Sequence, residues 1–141
     1  MVAEQTINIE SKENHCVESE SQAMSTVMAS YILGRNHGFS ENMISEIATV
    51  VSELAMNIVK YTPGGMIELA VVKCEEVSGI QVVAADRGPG IKDIDEAMQE
   101  HFTTGNSLGM GLPGVKRMAD QFEIESELGV GTVVTVTKWR L

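Results

Sequence analysis

Residues 80–90 of this 141-residue chain are IQVVAADRGPG. The apolar run 80–85 is typical of a buried strand, and Asp86 follows it directly, so we expect a carboxylate at the end of that strand. Gly88 and Gly90 would let the backbone approach a flat ligand closely. A carboxylate at this place can accept a hydrogen bond from an exocyclic amine, although the stretch alone is equally typical of an ordinary Asp-x-Gly turn.

The chain on either side of this stretch predicts short strands and amphipathic helices. Ser40 is a suitable N-cap, and Phe39 can pack on Ile44 in a hydrophobic staple. The predicted strands cover 5–9, 66–73, 80–85, 122–126 and 132–139. The predicted helices run from Met24 to a stop at Gly38, from Ser40 to the break at Pro63, over 112–121 and, briefly, over 94–99.

The spacing of apolar residues predicts which faces are buried. In the first strand, Ile7 and Ile9 are expected on one half-buried side, whereas 11–21 is polar and rich in charge. The second helix carries an apolar stripe from Met43 to Ile58. In the first helix, the stripe expected to face the core consists of Met24, Val27, Met28, Tyr31 and Ile32.

These elements predict an α/β fold with two layers. The layers are a mixed, mostly antiparallel sheet and a set of helices on one of its faces. A length of 141 residues fits a single domain over residues 1–141, in which residues 1–20 form a strand and a polar segment. No internal repeat or linker interrupts it.

Composition argues against several classes of partner. The formal net charge is −10, from 20 acidic and 10 basic residues. Such a charge repels nucleic acid and anionic membranes, and Lys116-Arg117 is the only adjacent basic pair. Cys16 and Cys74 lack the spacing of a zinc site or a disulfide framework. The sequence has neither a leader-like N-terminus nor an apolar stretch long enough to cross a membrane, so we expect a cytoplasmic protein.

Glu53 and Asn57 lie four residues apart in the second predicted helix, so they share a face turned away from its apolar stripe. A carboxylate and an amide oxygen there can supply one ligand to Mg²⁺ and one group that orients a nucleophile beside a phosphate. On this spacing alone, two solvated surface residues are the better interpretation.

Two glycine motifs follow in the C-terminal third. Gly109, Gly111 and Gly114 lead into a helix, whose free N–H groups can meet phosphate oxygens. They do not form a dinucleotide fingerprint, because no strand precedes them, and Val115 stands where a P-loop has lysine. Gly129-Val130-Gly131-Thr132 by itself predicts only a hairpin turn.

In this order, the four motifs resemble the N, G1, G2 and G3 boxes of the GHKL ATPases, which share the Bergerat fold. Within that superfamily, the small size and residues 109–122 are similar to RsbT-type serine/threonine kinases. The segment 52–58 and the closing Lys138-Trp139 agree with this resemblance, which covers about residues 20–141.

The resemblance implies a role for each motif. Asn57 would bind Mg²⁺, and Glu53 would be the catalytic base or orient the attacking hydroxyl. Asp86 would accept from the adenine amine of ATP, beside Gly88 and Gly90, with Thr132 supporting it from behind. A short lid would wrap the phosphates; its binding residues would be Thr103, Thr104, Gly105, Gly109, Met110, Gly111 and Leu112.

The resemblance also implies a function, namely ATP-dependent phosphorylation of a serine or threonine on a STAS-domain antagonist. In that family the kinase works within a stress-sensing assembly and, once released, activates a phosphatase. One alternative is an anti-sigma factor of the same fold, although 112–117 favours the kinase branch. Another is a histidine kinase fragment, suggested by Lys60-Tyr61-Thr62-Pro63, but the region around His15 is too short for a phosphoacceptor helix.

Overall fold

The computed structural model describes residues 6–99 and 111–140. Within these residues, five strands form one sheet in the order β1-β2-β3-β5-β4, and each neighbouring pair is antiparallel. The elements are β1 Asn8–Val17, α1 Glu20–Asn36, α2 Glu41–Tyr61, β2 Gly65–Cys74, β3 Val77–Asp86, α3 Ile94–Ala97, α4 Gly111–Met118, β4 Gln121–Glu127 and β5 Gly131–Trp139.

The predicted two-layer α/β sandwich is confirmed. One core joins the apolar stripe of α2 to one face of the sheet, with α1 packed beside α2. Its largest fully buried side chains include Ile44 and Ile47 from α2 and Ile67, Leu69 and Ile80 from the strands. The single domain over 1–141 stays a prediction.

The helix α2 agrees with its prediction. Ser40 is the N-cap, and its hydroxyl accepts a hydrogen bond from the Met43 N–H at 3.2 Å. Phe39 and Ile44 are both buried in the core, as the staple requires. This anchored helix carries Glu53 and Asn57, so its position fixes one side of the candidate site.

The prediction for the first strand was wrong in its bounds and its buried side. The strand β1 continues to Val17 through the polar segment, and Ile7 and Ile9 are exposed. It is an edge strand, paired only with β2 among the described residues. Backbone pairing holds it there, so its side chains need not be apolar.

The predicted core face of α1 was right for Val27 and Tyr31, which are partly buried and pack against the core, and wrong for its other three residues. Met24, Met28 and Ile32 are more than half exposed. The buried positions are instead small or polar, with Leu33: they are Ala23, Thr26, Ser30, Leu33 and Gly34. A Cβ added to Gly34 would lie 2.6 Å from Ile44 Cγ1, so the small residues let α1 approach α2 closely.

The remaining elements lie where they were expected, with shifted ends. The helix α4 stops at Met118, three residues early; the Asp120 N–H then donates to the Thr137 carbonyl, and Lys138 Nζ donates to the Met118 carbonyl. The strands β2 to β5 extend one to three residues beyond their predictions. Across the described ranges, no helix is both long and apolar enough to cross a membrane.

Candidate functional site

A cavity of about 790 Å³ opens at the end of β3. The wall formed by α2 includes Leu54, Asn57 and Ile58, and the opposite wall comes from residues 89–97. The start of α4 and the start of β5 complete it. Apolar side chains provide a slot for a flat ligand; besides Leu54 and Ile58 they are Ala84, Ile91, Ala97, Leu112 and Val134.

The carboxylate of Asp86 lies at the cavity surface, where β3 ends. Its Oδ1 accepts hydrogen bonds from the Gly88 N–H at 2.8 Å and the Thr132 N–H at 3.2 Å. These two bonds fix the orientation of the carboxylate. The side chain is therefore held in place before any ligand arrives. Neither of these two bonds involves Oδ2, which is the oxygen with which Asp86 can accept a hydrogen bond from a ligand.

Glycines keep the chain close around this carboxylate. A Cβ on Gly131 would collide with the Asp86 carbonyl oxygen, and the φ of Gly131 is +149°. A Cβ on Gly88 would lie 2.7 Å from Thr62 Cγ2. Gly90 has φ +82°, and its Cβ would lie 2.5 Å from the Glu127 carbonyl. Larger residues would therefore push apart the segments that form the site.

Hydrogen bonds join the loop after Asp86 to the β4–β5 hairpin. The Gly129 N–H donates to the Pro89 carbonyl at 2.9 Å, and the Ile91 N–H donates to Ser126 Oγ at 2.7 Å. Ser126 Oγ also lies 2.8 Å from Thr132 Oγ1. Thr132 thus contacts Asp86 through its backbone N–H, and it contacts Ser126 through its side-chain hydroxyl.

The predicted pair on α2 is split between the cavity and its surroundings. Asn57 lines the cavity and is partly buried. Glu53, one turn earlier, is also partly buried but is not among the lining residues. Their common face therefore leads from the cavity towards the N-terminal side of α2.

The other predicted site residues fall into two groups. Gly90, Gly111, Leu112 and Thr132 line the cavity with Asp86, while Gly88 supports it from the turn. The second group lies outside the described residues: Thr103, Thr104, Gly105, Gly109 and Met110. All of the assigned roles stay predictions.

Sequence reasoning missed several lining residues. Lys92, Asp93 and Glu96 contribute charge to the wall opposite α2, and Thr62 follows the end of α2. The Asp93 side chain is partly committed, because it accepts the Glu96 N–H at the start of α3. For Lys92, Asp93 and Glu96, the only sequence signal was their place shortly after the Asp-x-Gly-x-Gly turn.

The residues present fit a magnesium ion held mainly by a nucleotide. In the described part of the chain, His, Cys, Asp and Glu form no group of three that could hold a metal. Mg²⁺ commonly takes one or two protein oxygens and fills its octahedron with water and phosphate oxygens. The amide oxygen of Asn57 can be such a ligand.

Comparison with known protein families assigns the chain to one of them. Residues 43–141 match the family of histidine kinase-, DNA gyrase B- and HSP90-like ATPases, and this match covers both walls of the cavity. The chain belongs to this ATPase family. The use of ATP, expected from the four motifs, is the activity for which the family is named.

Within the ATPase family, the chain is similar to serine/threonine-protein kinase RsbT of Bacillus subtilis, with 41% identity over 80% of this chain and 88% of that protein. The prediction of an RsbT-type protein kinase is confirmed by this similarity. The chain is also similar to anti-sigma F factors: 37% identity over 68% of this chain and 70% of the Thermoanaerobacter sp. protein, and 34% over 86% and 84% for Geobacillus kaustophilus.

A solved structure agrees with the fold. The mycobacterial sensor histidine kinase MprB matches with a TM-score of 0.55 and 15% identity, over 92% of this chain and 97% of that one. At this identity the likeness extends to the fold alone. The histidine kinase alternative gains nothing from it, and His15 lies in the strand β1 and contacts Glu13, not in a phosphoacceptor helix.

Proposed function

We propose that this ATPase-family protein phosphorylates a serine or threonine of a STAS-domain partner, using ATP and Mg²⁺. The observation that carries the proposal is the fixed carboxylate of Asp86 in an apolar cavity. A slot of this kind suits a purine base, because the flat faces meet apolar walls while one polar edge meets Asp86.

The base would be oriented by Asp86. Its Oδ1 is engaged by two backbone N–H groups, so Oδ2 would accept from the 6-amino group of adenine. Leu54, Ile58 and Val134 would contact the ring faces. With the base fixed in this way, the phosphates would extend towards Asn57 and the start of α4.

The phosphates would meet two groups of the described chain. The first N–H groups of α4, which begins at Gly111, can donate to phosphate oxygens, as N–H groups at helix starts do. Asn57 would hold Mg²⁺ together with the phosphates; the ion would neutralise charge on the γ-phosphoryl group.

Glu53 would handle the incoming hydroxyl. It lies one helical turn from Asn57, beside the cavity and not within it, so a partner protein could bring its serine or threonine between them. There the Glu53 carboxylate would accept the hydroxyl proton as the hydroxyl oxygen attacks the γ-phosphorus and the bond from that phosphorus to ADP breaks, so that ADP leaves. Substrate choice would then depend on docking of the partner.

The relatives support another protein as the partner. The similarity to the RsbT kinase and to anti-sigma F factors supports partner switching with other proteins. We propose a STAS-domain substrate within a larger stress-signalling assembly, a phosphatase as the second partner, and a cytoplasmic location. No basic patch was found in the sequence, which agrees with a protein ligand and not a nucleic acid.

The test combines the purified chain, Mg-ATP and a purified STAS-domain protein, with phosphoryl transfer as the readout. Glu53→Gln should abolish most transfer and retain nucleotide binding. The matched control is Glu46→Gln on the same helix. Glu46 forms an ion pair with Lys138, with 3.4 Å between Oε1 and Nζ, and does not line the cavity. Equal transfer by both variants would remove Glu53 from the reaction.

Anti-sigma activity is the second candidate, favoured by the 34% to 37% identity to anti-sigma F factors. An anti-sigma factor of this fold needs the same nucleotide pocket, but it acts by holding a sigma factor in a stable complex. The same purified protein should be titrated with a sigma factor. A tight complex with the sigma factor, together with no transfer to any STAS-domain protein, would replace the kinase proposal.

A further inference from the structure

Lys138 is a charged residue on the face of β5 that otherwise contributes to the core. Val136 and Val134 precede it on the strand and are buried core residues; since side chains alternate along a strand, Lys138 lies on the same face. Its partner in the register, Ile80, is also buried. The Lys138 side chain is only 17% exposed, although lysines are mostly exposed unless they are paired. Its place therefore requires a specific partner.

Two oxygen atoms meet the Lys138 ammonium group. Nζ donates to the Met118 carbonyl at 3.0 Å and lies 3.4 Å from Glu46 Oε1. Met118 is the last residue of α4, and the carbonyl groups of a last helical turn have no partner within the helix. A cation at this end also interacts favourably with the helix dipole. Lys138 thus holds the C-terminal end of α4 against β5.

The opposite end of α4 lies at the cavity. Gly111 and Leu112, the first two residues of α4, both line it. Between the two ends, Val115 is fully buried, so α4 rests on the core by one side. A helix of eight residues is about 12 Å long and is held together by its own hydrogen bonds. A displacement of the C-terminal end would therefore tilt the whole helix on Val115 and redirect the N–H groups at its start.

We propose that Lys138 is a positioning residue: by fixing the C-terminal end of α4, it aims the N–H groups at the start of α4 at the phosphates of the nucleotide. The inference rests on the proposed nucleotide site, in which these N–H groups bind phosphate oxygens. Lys138 does not line the cavity, so it acts through α4 and not by contact with the nucleotide. Hydrogen bonds weaken steeply as their angle departs from linearity, so a tilt of α4 weakens phosphate binding.

Two simpler roles of Lys138 predict different results. If Lys138 only supports the core, its loss loosens the whole cavity and weakens the binding of adenosine and of ADP by the same factor. If it only attracts phosphates through its positive charge, its effect vanishes at about 1 M salt, where charges are screened over about 3 Å. Positioning through α4 predicts a loss that is specific for ligands with phosphates and that persists at high salt.

The experiment measures the dissociation constants of adenosine and of ADP with Mg²⁺ by calorimetry on the full chain, at low and at high salt. Lys138→Met keeps most of the aliphatic stem and removes the ammonium group. It should weaken ADP binding by about tenfold or more, the effect of losing one hydrogen bond to a charged group, and change adenosine binding by less than about twofold. Lys138→Arg keeps a cation that can donate to the Met118 carbonyl and should retain ADP binding.

Two variants serve as controls. Lys12→Met removes the same charge from β1, where Lys12 lies 3.9 Å from Glu68 and does not line the cavity, so both dissociation constants should stay unchanged. Glu46→Gln keeps an oxygen that can accept from Lys138 and leaves the bond to the Met118 carbonyl in place, so it should bind ADP as the wild type does. If Lys138→Met is unfolded at the assay temperature, Lys138→Gln takes its place, because its shorter side chain cannot reach that carbonyl.

The outcomes separate the inference from the proposed function. Unchanged ADP binding in a folded Lys138→Met variant, an equal loss for adenosine and ADP, or a loss that disappears at high salt would each overturn the positioning role while the nucleotide site stands. Binding of neither adenosine nor ADP by the folded wild type would reject the proposed function itself.

Discussion

Replacement of Asp86 by asparagine changes the chemistry of the cavity while preserving most of its structure. The amide oxygen of Asn can accept the Gly88 and Thr132 N–H groups that Asp86 Oδ1 accepts at 2.8 and 3.2 Å. The amide nitrogen then occupies the place of Oδ2. A donor therefore replaces an acceptor at the one position that faces the base.

The size of the effect follows from these contacts. A hydrogen bond to a charged group contributes about 1.5 to 3 kcal/mol, so its loss should weaken ADP binding roughly 10- to 150-fold. The two backbone bonds remain but become neutral, so the free energy of unfolding should fall by only about 1 kcal/mol. IDP should gain affinity, because its 6-oxo group can accept from the new amide.

Calorimetry with ADP and IDP, together with thermal unfolding, tests this expectation. Asp120→Asn is the matched control: Asp120 accepts from the Trp139 N–H at 2.7 Å, outside the cavity, so its replacement should leave both affinities unchanged. A folded Asp86→Asn variant that binds ADP as tightly as the wild type would refute the assignment of Asp86 to the base.

Three further predictions concern other parts of the molecule. Asn57→Ala should leave the fold intact and remove most of the increase in ADP affinity that Mg²⁺ causes. Titration with ADP in the presence and absence of Mg²⁺ measures this increase, and an unchanged increase would exclude Asn57 as a ligand of the ion. Gly131→Ala should lower the free energy of unfolding by about 2 kcal/mol or more, because its Cβ would meet the Asp86 carbonyl at a φ of +149°, and unfolding in urea measures this loss. Leu33 is 5% exposed, so Leu33→Ala should lower the free energy of unfolding by about 2 to 5 kcal/mol. Its neighbour Ile32 is 56% exposed, so Ile32→Ala should change that free energy by no more than about 0.5 kcal/mol. Similar losses in the two variants would mean that the faces of α1 are assigned wrongly.

The parts of the fold that sequence predicted share a strong local signal. The helix α2 has a cap, an apolar stripe and the break at Pro63, and each favours the same structure. The strand β3 ends at Asp86 because an apolar run meets a turn-forming sequence. The resemblance of the four motifs to a known family, and not a local signal, grouped Asn57, Asp86 and Thr132, and all three line the cavity.

The faces of α1 and the length of β1 had no such signal. Hydropathy favoured Met24 and Ile32 as core residues, but close packing of helices selects small residues such as Gly34. Polar side chains concealed β1, whose place depends on backbone pairing with β2, from Val17 with Gly65 to Asn8 with Lys73, 48 to 65 residues later. Neither contact leaves a periodic pattern in hydropathy.

The wall opposite α2 depends on contacts between distant residues. The Ile91 N–H reaches Ser126 across 35 positions, and the Gly129 N–H reaches Pro89 across 40. Single-sequence reasoning detects repeats of two to four residues, so it located the turn at Asp86 and not the segment that returns to it.

The contact between Asp86 and Gly131 bears on how this site can diversify. Since β3 ends at Asp86 and its neighbour β5 begins at Gly131, the chain leaves β3 and, after adding the edge strand β4, returns to almost the same point. Closing a flexible loop costs only about 0.6 kcal/mol more for each doubling of its length. Insertions between β3 and β4 would therefore leave the β3–β5 register intact, so the length of that connection could change during evolution while Asp86 and Gly131 stay in contact.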